Sequence, residues 1–437
     1  MTNASRIKFL YILMTITLLV VGFFQSWNVA LTIFNLCLIS SIMTLGINIQ
    51  WGNAGIVNFG VMGFAALGGL ANIIISMPPT LNAWDAGGGI IIVGLLIFTL
   101  SIFFSIMLFK KSYLNNNIKY LISFAFIISG YFIMRLLVDA PIEKIEAIEP
   151  AKTGYLGGFN LPVLLSWPVG AILAAFFAFI IGKVSLGLRS DYLAIATLGI
   201  SEIIIYFLKN EDWLSRGVKN VNGLPRPVPY EIELQSKEWV LKVSNYLDTP
   251  ITEISSIIVK LSYSILFCAV LLIVLFLLEI AVKSPWGRMM RAIRDNEVSA
   301  NAMGKNIKQR HLQVFVIGSA IVGLAGAMLT TLDGQFTPVS YQPLRYTFLI
   351  WIMVIIGGSG NNFGSIIGGF LIWFFWVQSE PLGLWFISQI TTHISDTNMI
   401  KSHLLENAAH IRLMFMGMIL LITLRFAPKG LIPEVKR

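Results

Sequence analysis

The sequence predicts an all-α, polytopic integral membrane protein with about 10–12 transmembrane helices, organised as one membrane domain over residues 1–437. Two observations carry this. Of 437 residues, 56% are hydrophobic and only 12% charged, with a mean hydropathy of +0.78, outside the range of soluble globular domains. Apolar runs close to the ~20 residues that cross a bilayer follow one another along nearly the whole chain, and no polar segment is long enough to form a separate soluble domain.

In order, the runs lie near 9–24, 29–49, 55–76, 89–109, 120–138, 166–182, 192–208, 262–282, 312–332, 346–357, 364–378 and 410–427. The first follows Arg6 and Lys8 but has no small-residue cleavage site, so it reads as a retained helix and not a signal peptide. The pair 346–357 and 364–378 is interrupted by Gly357, Gly358 and Gly360; it is either two crossings or one broken, re-entrant element, and the parity is even both ways.

The net charge of +9 would suggest nucleic acid in a soluble chain, but here the cations flank membrane runs, where they set orientation. Lys110, Lys111 and Lys119, then Lys183 and Arg189, then Lys283 to Arg310, and finally Lys429, Lys436 and Arg437 mark the cytoplasmic side. The alternate connections are neutral or acidic, which places both termini in the cytoplasm. Three outer segments, near 139–165, 209–261 and 379–409, are long enough to hold structure; the middle one, with Trp213 and a Gly-Leu-Pro-Arg-Pro turn at 223–227, is expected to fold as a cap. Cys37 and Cys268 both fall in apolar runs and suggest neither a disulfide scaffold nor a zinc site.

Small residues recur at helical spacing: Gly60 and Gly68, Gly360, Gly364 and Gly368, and Ser319, Gly323 and Ala327. They let helix backbones approach where lipid supplies no hydrophobic push, so close packing accounts for them. Polar groups at membrane depth say more. Glu202 lies mid-run with Thr197 and Ser201 near it, and Asn53 and Asn58 flank the start of the third run. A carboxylate there faces water, protein or a partner; Glu202 is therefore either a group on the translocation path or one end of an interhelical hydrogen bond. Glu279 has Lys283 four residues on, and a local ion pair accounts for it.

Enzymatic signatures are missing. The glycine-rich stretch from Gly357 to Gly364 lacks the lysine of a phosphate loop, so the chain is not expected to hydrolyse ATP or to carry a cofactor. His393, His403 and His410, with Asp396 and Glu406, fit no zinc spacing, and no metal is expected.

The polar loop from Lys283 to His311 stands between two long apolar runs. Within it Asn296 suits an N-cap, Glu297 puts negative charge in the first turn, Ala300 and Ala302 propagate helix, and Gly304 closes it ahead of Lys305. A helix of about two turns does not hold itself together in water, so it must rest on its flanking helices or on another protein.

At this point the chain resembles the permeases of branched-chain amino-acid ABC importers, whose relatives import urea and other amides. The resemblance rests on Trp286 to Gly326, on Gly52-Asn-Ala-Gly-Ile-Val-Asn-Phe-Gly, on Tyr192 to Glu202 followed by Gly223-Leu-Pro-Arg-Pro, and on Arg425-Phe-Ala-Pro-Lys-Gly-Leu. It implies an ABC importer permease-like fold and a multi-pass protein of the bacterial cytoplasmic (inner) membrane. It also implies a short cytoplasmic coupling helix that docks on a separate ATPase, with Arg291, Arg294, Glu297, Ala300 and Gly304 as the coupling positions. ATP and Mg would belong to that partner. The other implied partners are a second, related permease, a second ATP-binding subunit and an extracytoplasmic solute-binding protein. Asn53, Asn58, Thr197 and Glu202 remain the candidates for the translocation path, and alternating access is the implied mechanism. The segments around 110–165, 229–260 and 379–409 depart from the family pattern. The alternatives are a urea or amide permease and an ion-coupled secondary transporter in which Glu202 carries the proton.

Overall fold

The computed structural model describes residues 3–111, 115–149, 152–392, 403, 406–407 and 410–434. Among them, every predicted apolar run carries a helix: α1 (Asn3–Phe24), α2 (Trp27–Ile47), α3 (Val61–Ser76), α4 (Gly89–Lys111), α5 (Asn116–Glu146), α6 (Ser166–Ser185), α7 (Ser190–Asn210) and α8 (Ile251–Lys283), then α11 (Ile307–Asp333), α12 (Pro343–Gly357), α13 (Asn362–Ile390) and α14 (Ile411–Phe426). Between α8 and α11 lie two short helices, α9 (Pro285–Asp295) and α10 (Glu297–Ala302). Nine helices among the described residues are long and apolar enough to cross a membrane; Val61–Ser76 and Pro343–Gly357 are shorter.

Three boundaries differ from the hydropathy pattern, each for a local reason. The third helix begins at Val61 and not at 55, because residues 53–60 hydrogen-bond through side chains and Gly55 takes a positive φ of 74°. The helix read as 262–282 begins at Ile251, directly after Pro250, so the middle outer segment ends sooner than its polarity suggests. At 33 residues α8 is about 50 Å long, well beyond a ~30 Å hydrocarbon core, which leaves its Glu253 turn free to be polar. The glycine-broken stretch resolves into two helices, α12 and α13, joined through Gly358 (φ 115°) and Gly360 (φ 81°). Asn361 caps α13 by accepting from the amides of Phe363 and Gly364 at 3.0 and 3.2 Å.

The core is built around α2 and α11. Of the apolar window of α2, 78% is buried inside the protein, against 11% for α1 and 17% for α5. Helix α11 fits against α2, α3 and α6 through small residues: Gly318 faces Gly46, Gly323 faces Gly68 and Gly170, and Gly326 lies on the backbone of Ala65. Helices α4 and α5 pair through a Ser105–Ser123 hydroxyl contact and through Gly130 against Ser101, and otherwise present Leu121, Phe132 and Leu136 outward, as lipid-facing helices do.

The loops carrying Arg288, Lys305 and Lys429 gather at one end of the bundle, here the basic end. At the opposite end the segment after α7 forms β1 (Val221–Asn222), which pairs antiparallel with β2 (Gln335–Phe336) just beyond α11, with Val221 opposite Phe336 and Asn222 opposite Gln335. Two short helices, Glu231–Gln235 and Glu238–Leu247, complete that segment.

Candidate functional site

The loop at the basic end folds in two steps. Ser284 caps α9, with Pro285 at its first position, where the missing N–H costs nothing. Asn296 then leaves the helical region (φ −155°, ψ 97°) and its side chain accepts from the Ser299 amide at 2.9 Å, starting α10. Helix α10 stops at Gly304 (φ 74°), where the Lys305 amide returns to the Ala300 carbonyl at 3.3 Å; Asn306 then caps α11 through the Gln309 amide.

Within α10 a single side chain, Ala300 at 2% exposure, faces the protein, beside the buried Met290 and Ile293 of α9. Glu297, Asn301 and Gly304 are exposed, and so are two apolar residues, Val298 at 79% and Met303 at 66%. Val298 and Met303 were not among the residues singled out from sequence. An isolated valine and methionine in a polar loop carry no signal until the orientation of the helix is known. Together they give α10 an apolar outer face bordered by charge, the anatomy of a docking surface.

The arginines turn inward. Arg291 donates to the Val282 carbonyl at 3.0 Å. Arg294 donates to the Gly52 carbonyl and pairs with Glu434 and Asp295, each at 3.0 Å. Burial works against the charge of this guanidinium, but the hydrogen bonds and negative charges of Glu434 and Asp295 outweigh it and raise its pKa above the ordinary arginine value.

Gly52 ends a π-helical turn, Asn48–Gly52, that continues α2. There Asn48 donates to Asn362 at 2.9 Å and accepts from the Gly360 amide at 2.8 Å, while Asn362 donates to Glu279 at 3.0 Å; Glu279 also pairs with Lys283 at 2.8 Å, as the spacing predicts. The C-terminal segment closes the belt, with the amides of Leu431 and Ile432 bonding the carbonyls of Ile356 and Gly357 at 2.8 and 3.0 Å.

The membrane-depth polar residues separate into two kinds. Asn58 donates to Gln50 at 2.9 Å, accepts from the Gly60 amide at 2.8 Å and offers its carbonyl to the Trp351 indole at 3.0 Å. Asn53 donates to the Asn48 carbonyl at 3.3 Å. Thr197 and Ser201 of α7 accept from the amides of Phe59 and Gly63 at 2.9 and 2.7 Å. All four are buried and hold the non-helical stretch before α3 in place. Glu202 points the other way: it is exposed and lines an open groove of about 570 Å³ with Lys209, Arg345 and Phe348, between α7, α12 and α14. Among the described residues no three His, Cys, Asp or Glu side chains are grouped to hold a metal ion; His393, Asp396, Lys436 and Arg437 lie outside the described residues.

Three of the stretches that carried the resemblance thus meet in space, since Arg294 bonds Gly52 and Thr197 holds Phe59, and Glu434, just past the fourth, pairs with the same Arg294. A family model described as "Branched-chain amino acid transport system / permease component" matches residues 29–424. The "High-affinity branched-chain amino acid transport system permease protein LivM" of Escherichia coli (strain K12) is 25% identical over 275 residues, which is 62% of this chain and 57% of that protein. The "Probable branched-chain amino acid transport permease protein LivM" of Methanocaldococcus jannaschii is 24% identical over 400 residues, 90% of each chain. The E. coli (strain K12) LivH permease protein is 27% identical over 178 residues, 41% of this chain and 51% of that protein. The match therefore spans little more than half of the E. coli relatives' length. No solved structure matches. With a family model covering the chain from the start of α2 to the end of α14, the protein belongs to the branched-chain amino acid transport permease family.

Proposed function

We propose that this chain is the membrane-spanning permease subunit of an ATP-driven importer that moves branched-chain, hydrophobic amino acids across the bacterial cytoplasmic membrane. The observation that carries the reading is α10, a capped helix whose Ala300 seats it on the bundle while Val298 and Met303 face away from it. A helix of six residues gains little by folding alone, so its outward apolar face is best explained by a partner.

In this reading the basic end is cytoplasmic, both termini lie there, and α10 docks on one of two ATP-binding subunits, which hold the ATP and Mg. A second, related permease completes the membrane unit, and an extracytoplasmic solute-binding protein delivers the amino acid at the opposite end. Closure of the ATP-binding pair displaces α10, and Arg294 passes that displacement to the belt at Gly52. The permease itself does no chemistry.

Uptake of labelled leucine in cells with and without the chain tests this, with ATP depleted and the proton gradient collapsed in separate arms. The expected result is leucine uptake that needs the chain and ATP and survives loss of the gradient. Uptake that follows the gradient would make the chain an ion-coupled carrier, and competition by urea but not valine would move the substrate class to amides.

A further inference from the structure

We infer that a cavity beside the end of α11 binds the zwitterion of a hydrophobic α-amino acid, with Asp333 taking the ammonium group. The inference rests on the transport reading above and names where in this chain its substrate sits. The cavity measures about 290 Å³ and lies between α2, α12 and α13, bounded at the opposite end by residues 333–341. Sites for small ligands begin at roughly this size, so it suits one amino acid and not a peptide.

Its wall is apolar. Ile39 and Met43 of α2, Met62 of α3 and Leu349 and Ile350 of α12 line it, all buried and all suited to an aliphatic side chain. At its rim stands Asp333, the last residue of α11, exposed to the cavity. Among the described residues its carboxylate has neither an ion pair nor a side-chain hydrogen bond. The guanidinium of Arg226 lies beside Gly334, but Glu231 holds it at 3.1 Å. Exposed at the rim, this carboxylate is free to exchange its water for a cation that enters the cavity.

Two further groups lining the same cavity are incomplete. The Thr337 hydroxyl and the Trp373 indole nitrogen are buried and have no partner among the described residues. The indole can only donate and the hydroxyl can donate, so both suit the carboxylate of the ligand. One anion, two open donors and an aliphatic wall match the three parts of leucine, isoleucine or valine. Urea would leave the Asp333 charge uncompensated, and lysine would set a second charge against Met43 and Ile39. The position suits delivery from the opposite end, since Gln335 lines the cavity and pairs with Asn222 of the outer segment.

Equilibrium binding of tritiated leucine to the full-length chain in lipid nanodiscs tests the assignment. 4-Methylpentanoate, which keeps the side chain and carboxylate but has no ammonium, should compete at least about tenfold more weakly than leucine, as should urea and lysine. Asp333→Asn should weaken leucine binding by about tenfold or more, and Met43→Trp should abolish it while Met43→Leu keeps it. Saturable binding that is absent, equal competition by 4-methylpentanoate, or an Asp333→Asn chain that binds leucine as the native one does would each overturn the inference. If the substituted chains fail to fold, the competition series on the native chain decides alone. Leucine uptake in cells separates the two readings: uptake without this binding removes the cavity and leaves the transporter, and binding without uptake does the reverse.

Discussion

Arg294 reaches from α9 to the backbone carbonyl of Gly52, joining the loop that bears α10 to the helix at the centre of the bundle. The same guanidinium holds Glu434 at 3.0 Å, so one side chain ties three distant parts of the chain together. On this geometry it is a positioning residue, holding the loop that bears α10 against the bundle.

Replacing Arg294 with alanine removes both ties. A charge-assisted hydrogen bond is worth about 1.5–3 kcal/mol, so leucine uptake should fall by roughly tenfold or more at unchanged membrane levels of the chain. Glu434→Gln, which spares the Gly52 contact, should lose much less. Uptake per molecule of chain, read against immunoblot abundance, checks this, and normal uptake by Arg294→Ala would discard the tie as a transmitter.

Val298→Asp and Met303→Asp put charge on the outward face of α10 without touching its seat at Ala300. If these two side chains anchor an ATP-binding subunit, each substitution should weaken its co-purification with the chain by about tenfold, the scale of an interface hot spot. The chain itself should stay as stable as before, because both residues are largely exposed. Full recovery of the partner with both substitutions would remove α10 as the docking element.

Gly326 sits where an added Cβ would strike the backbone of Ala65, whereas Gly199 has open space around its Cα. Overpacking costs about 1–3 kcal/mol, so Gly326→Val should lower the thermal midpoint of the detergent-solubilised chain by several degrees while Gly199→Ala leaves it nearly unchanged. Equal midpoints would mean that α3 and α11 can separate without penalty.

Much of this architecture is legible in the residues because its causes are local. The Asn296 cap, the Gly304 stop and the Glu279–Lys283 pair each depend on neighbours within about four positions, and each is present. What could not be read depends on partners far away in the chain. Thr197, a candidate for the translocation path, and its neighbour Ser201 accept from the amides of Phe59 and Gly63, far earlier in the sequence. Glu202, one residue on, keeps its open face, a difference of about 100° around a helix that no composition reveals. The Asp333 cavity was equally invisible, since α2, α12 and α13 each contribute to it and none carries a motif for it.

Helix α11 begins at the Asn306 cap, immediately beyond α10, and ends at Asp333. Its 27 residues make an unbroken rod of about 40 Å. A tilt of only about 5° about the α10 end would carry Asp333 sideways by about 3.5 Å, the full length of a hydrogen bond. On the proposals above, α10 and the Asp333 cavity stand at the two ends of this one rod, and Gly318, Gly323 and Gly326 hold its length in close contact with α2, α3 and α6.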